Sequence, residues 1–88
     1  MCTNIVVKTE LAGWGKGNEG WFDLNKLSIA YDHPYHAPLE YAISLDFLNE
    51  SAGPSARVAV ELTPDSAKAL ILALQAALDR GEAEGVKP

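Results

Sequence analysis

The sequence predicts an α+β domain: a four-stranded antiparallel sheet of order β-β-β-β-α, with one C-terminal helix packed on one face. Three observations predict it. Two segments, Tyr41–Phe47 and Val58–Leu62, alternate apolar and polar residues with the two-residue period of a half-buried strand. Four strand-like runs are joined by short links, which favour antiparallel neighbours. One long run after Thr63 instead has a helical period.

The first strand is read over residues 3–10, "TNIVVKTE", a short segment rich in β-branched residues. "AGWGKGNEG" follows, with four glycines from Gly13 to Gly20, and is read as a loop. "WFDLNKLSIAYD" resumes a strand, with Leu27, Ile29 and Tyr31 on one face and Ser28 and Ala30 on the other. The third strand, "EYAISLDFLN", places Tyr41, Ile43, Leu45 and Phe47 inward and Ala42, Ser44 and Asp46 outward. "ESAGPS" is a turn. "RVAVEL" then points Val58, Val60 and Leu62 inward and Arg57, Ala59 and Glu61 outward. In the helix, Thr63 is the N-cap, Pro64 occupies the first helical position, Asp65 favours the positive dipole end and Gly81 is the expected stop. Residues 1–82 form one domain, and residues 83–88 are read as a flexible tail.

The helix is apolar over more than half its circumference. At 100° per residue, Lys68, Gln75 and Asp79 fall within about 40° of one another, with Leu72 close to the same stripe. One sheet face covers only part of the remainder. A homo-oligomer is therefore expected, a dimer first, with the second subunit on the uncovered helix surface.

Bulk composition excludes several classes. An apolar content of 48% argues against disorder. No run approaches the length of a membrane span, and the N-terminus lacks the pattern of a signal peptide. One cysteine offers no intramolecular disulfide, so the expected location is cytoplasmic. The net charge is −5 and the basic residues form no cluster, which disfavours nucleic acid and anionic membrane surfaces.

Candidate chemistry concentrates in "DHPYHAPLE". Pro34 extends His33 and favours a turn across "HPYH", which brings the two histidines to one side. Imidazole binds transition metals, and zinc requires further ligands. Glu40 is the nearest in sequence and Cys2 the other candidate. The expected metal set is thus His33, His36, Glu40 and Cys2, for zinc, copper, nickel or iron, with Asp32 orienting a histidine. A small molecule is the other ligand class, with Asp32, Tyr35, Trp14 and Trp21 as lining residues. Trp14 and Trp21 flank "GKGNEG", which matches a dinucleotide-type glycine pattern but precedes a strand where that motif needs a helix.

Taken together, "MCT", "GKGNEGWF", "DHPYHAPLEYA" and "DFLNESAGPSARVAVEL" resemble a family of short bacterial proteins known only as a domain of unknown function. The resemblance spans most of the chain and implies no established activity. It implies that "MCT" and "DHPYHAP" are part of the family signature, which favours a shared role for Cys2, His33 and His36.

Three functional readings stand open. The first is an oligomer whose histidine pocket binds a transition metal or small ligand. The second is an interaction module assembling through the apolar helix. The third is a metal-free enzyme using a histidine as acid or base.

Overall fold

A computed structural model describes residues 2–87. Met1 of the "MCT" motif and Pro88 of the tail lie outside the described residues. Four strands and one helix follow in order: β1 (Ile5–Gly17), β2 (Gly20–Asp32), β3 (Ala42–Leu48), β4 (Arg57–Leu62) and α1 (Pro64–Ala83). They form a single antiparallel sheet of spatial order β1-β2-β3-β4. The predicted α+β class, four-stranded antiparallel sheet and single C-terminal helix are all present, and the structure supplies the order of the strands.

Register separates the two sheet faces. Val7, Ile29, Leu45 and Val60 lie in one row, and Ile5, Tyr31, Ile43 and Leu62 in the next. These make the apolar face. The opposite face carries Ala30, Ser44 and Glu61 in one row and Ser28, Asp46 and Ala59 in another. Helix α1 lies over β3 and β4 on the apolar side, where Ser66, Ala69, Leu70 and Ala73 stand above Leu45, Phe47, Val60 and Leu62. On the β1–β2 half of that face Ile5, Val7 and Tyr31 are exposed.

Three local expectations are corrected. Gly13–Gly20 is not a loop: β1 runs through Gly17, β2 begins at Gly20, and only Asn18 and Glu19 intervene. Gly20 takes φ +106°, the left-handed conformation that closes this hairpin. The strand glycines answer a close approach. A Cβ on Gly15 would meet Leu24 Cδ2 at 3.2 Å and Val58 Cγ2 at 3.3 Å; one on Gly17 would meet Phe22 Cε1 at 3.1 Å and the Ser55 carbonyl at 3.3 Å. A register shift between Glu10 and Gly13 marks where the long hairpin departs from regular pairing, as a bulge does when it bends a strand.

Asn49 ties this arm to the body. Its Nδ2 donates to the Asp23 carbonyl at 3.0 Å, and its Oδ1 accepts from Asn25 Nδ2 at 3.2 Å and from Ser51 Oγ at 2.8 Å.

The second correction concerns the helix end. Thr63 caps it as expected, its Oγ1 accepting from the Ser66 N–H at 3.0 Å. The helix does not stop at Gly81, however, and continues to Ala83. Glu82 and Ala83 are good helix formers, and the left-handed residue that ends it is Gly85, at φ +75°. The third strand is also shorter than read, beginning at Ala42.

The core is small. Among the described residues the buried apolar side chains are Ala42, Leu45 and Ala56. No residue of α1 is buried. Among the described residues no helix is long and apolar enough to cross a membrane.

Candidate functional site

The segment between β2 and β3 folds over the polar face of the sheet, opposite the helix. Glu61 fastens it there. Its Oε2 accepts from the Tyr35 N–H at 2.6 Å, its Oε1 from the Ala37 N–H at 2.8 Å, and both oxygens from the His36 N–H at 3.1 and 3.2 Å. One carboxylate thus receives three successive backbone donors, an anion-binding concavity closed by the chain's own side chain. The Ala37 N–H is the main influence holding the Glu61 carboxyl below its ordinary value of 4.5; desolvation opposes it, while Tyr35, His36 and the His36 charge add to it.

The histidine turn is therefore held differently from the expected "HPYH" β-turn. The His36 N–H goes to Glu61 rather than back toward the His33 carbonyl. Asp32 takes a backbone role, its Oδ1 accepting from the His33 N–H at 2.8 Å. What orients the His33 ring is the Glu40 carbonyl, 2.7 Å from Nδ1. A carbonyl only accepts, so Nδ1 carries a proton and the basic lone pair of the neutral ring sits on Nε2. Tyr41 stacks on the same ring, with centroids 4.7 Å apart and planes at 25°.

Between this turn and the sheet lies a cleft of about 700 Å³. Asp32, His33, Tyr35 and His36 line its turn side; Ser44, Asp46, Arg57 and Glu61 line its sheet side. Asp46 Oδ1 accepts from Arg57 Nε at 2.8 Å and lies 2.5 Å from Nη2, so an ion pair spans two strands of the floor.

The expected site residues divide. The structure brings Asp32, His33, Tyr35 and His36 to the cleft. Glu40 contributes its carbonyl to His33 and is not part of the lining. Cys2 is exposed and also outside the lining. Its neighbour Thr3 bonds the Tyr31 carbonyl, which puts it at the same sheet end as His33. Trp14 and Trp21 are separate from the cleft; they flank Lys16 on the hairpin arm beside a shallow groove of about 310 Å³. Among the described residues no three His, Cys, Asp or Glu side chains gather in a metal-binding group.

Sequence reasoning missed Glu61, Asp46 and Arg57 as site residues. Their alternation marked them as outward-facing, and the turn that folds over them could not be placed from spacing alone.

The fold and cleft define a small α+β protein with a polar recess on an open sheet face. The chain belongs to a family of unknown function, DUF6295, whose model matches residues 1–87. No curated protein and no solved structure matches it.

Proposed function

We infer that the protein is a small binding protein whose polar cleft takes a small polar ligand or a transition-metal ion. The observation that carries this reading is the convergence of His33, His36, Asp32, Asp46, Arg57 and Ser44 on one recess of about 700 Å³. Pockets of this size suit small molecules, and their few polar groups set orientation. The turn is pinned in advance by Glu61, so little ordering is left for a ligand to impose. The Glu40 carbonyl accepting from His33 Nδ1 fixes the tautomer and orientation of the ring, as backbone carbonyls commonly do for metal-binding histidines. With His33 and His36 as protein ligands, the remaining positions around a metal would belong to water or a bound molecule.

The test begins with elemental analysis for zinc, copper, nickel and iron in protein purified without chelator, beside a His33→Ala, His36→Ala double variant. Amide shifts are then followed by NMR on adding zinc chloride, and separately on adding phosphate, acetate and guanidinium. The expected result is bound metal, or probe-induced shifts confined to His36, Ser44, Asp46 and Ala59, in either case lost in the double variant. No metal and no cleft-localised shift with any probe overturns the reading.

A further inference from the structure

The accessible surface is 6846 Å², roughly 1,800 Å² more than a folded monomer of 9.4 kDa exposes. The Cα radius of gyration is 14.8 Å, against about 12 Å for a compact chain of this length. Two of the places where large apolar side chains lie exposed face the same side of the molecule.

The first is the sheet. Four strands spaced at about 4.8 Å need close to two helix diameters to cover one face. The chain supplies one helix, over β3 and β4, and leaves Ile5, Val7 and Tyr31 of the β1–β2 half exposed. The second is the helix. On a helical projection Leu70, Leu74, Leu78 and Ile71 follow one another along a flank beside the stripe that meets the sheet. Ile71 and Leu78 are 66% and 62% exposed. The groove between helix and sheet is itself apolar and holds about 560 Å³, so the helix does not close on its own sheet.

We propose that a second copy of this chain covers this surface, the Leu70–Ile71–Leu74–Leu78 flank of each helix lying on the open β1–β2 half-sheet of the other. Each copy has half a sheet without a helix and a helix without a second surface. Those two features complement each other about a two-fold axis, which presents the same patch from both copies. The excess of both protomers together, about 3,600 Å², is the upper bound on what such an interface buries, and even about half of it reaches the size of a stable protein interface. The copy is favoured over a foreign partner because a core this small needs its cover whenever the chain is folded. The inference stands apart from the cleft, which lies on the opposite sheet face.

Sedimentation equilibrium on the full chain at low micromolar concentration tests it, with far-UV circular dichroism to report folding. The expected mass is twice 9.4 kDa. An Ile71→Glu, Leu78→Glu variant and a Val7→Lys variant should each lose the dimer. Leu72→Glu, on the other flank and 71% exposed, should keep it. A wild-type chain that is folded at 9.4 kDa overturns the proposal. So does a dimer that survives both interface variants, or one lost in Leu72→Glu alone. Wild-type mass is measured first, so an interface variant that unfolds on dissociation leaves the main result intact.

Discussion

At the scale of single residues, Glu61 shapes the candidate site more than either histidine. Three N–H groups of one turn converge on it, and hydrogen bonds to an ionised acceptor are stronger than neutral ones. Glu61→Ala should raise amide exchange at Tyr35, His36 and Ala37 by about tenfold or more while β3 and β4 stay protected; hydrogen exchange by NMR reads this directly. Its pH dependence has a definite sign. The folded carboxyl titrates below its ordinary 4.5, so its contribution is complete above that value and is lost as pH falls through the lowered one. The same amides should therefore lose protection in acid in the wild type, and show no such acid-specific step in the variant. The histidines and Asp32 were legible because proline spacing marks a stiff corner and imidazole marks chemistry. Glu61 was not, since its partners lie 24 to 26 positions earlier in the chain. A signal existed in hindsight: a turn with successive unpaired N–H groups needs an acceptor, and Glu61 stands beside Ser44 on the polar face.

At the scale of elements, local rules succeeded where the cause was local. Thr63, Pro64 and Asp65 began the helix where capping chemistry says they should. Alternation placed the apolar rows of β3 and β4 correctly. The glycine segment was misread because its composition says turn, while its reason is the approach of Leu24, Val58, Phe22 and the Ser55 carbonyl. Helix α1 passed through Gly81 for a similar reason: one unfavourable residue was outweighed by the good helix formers after it. The hairpin arm yields a paired prediction. Gly17→Ala forces a methyl to 3.1 Å from Phe22 and within 3.4 Å of two backbone carbonyls, which have little room to yield. It should cost about 1–3 kcal/mol, the usual price of overpacking. Gly13→Ala meets no atom within 4 Å and should leave stability nearly unchanged. Urea unfolding of the two variants at equal protein concentration decides the matter; equal losses would mean that glycine serves the arm through flexibility rather than through space.

At the scale of the whole molecule, a sheet half uncovered and a helix without a buried residue are the surfaces that the proposed dimer would cover, and on that proposal folding and association are one process. The breadth of the apolar helix in the sequence is the ground of the same expectation. The open half-sheet became visible only once the structure placed α1 over β3 and β4 rather than centrally. If unfolding releases two chains from each dimer, the equilibrium depends on total protein and Tm must rise with concentration. The size of the effect follows from the chain length. Each tenfold increase in concentration is worth about 1.4 kcal/mol, and two chains of 88 residues unfold with an entropy near 0.37 kcal/mol/K. Tm should climb by about 4 °C per decade of protein concentration. Scans from the micromolar to the millimolar range, at fixed pH and salt, give the slope. A flat line describes a chain whose stability is unimolecular, for which the exposed Leu70–Leu78 flank would have no part in holding the fold. A slope near the expected value, abolished in Ile71→Glu, Leu78→Glu but kept in Leu72→Glu, makes that flank part of the core that the single chain lacks.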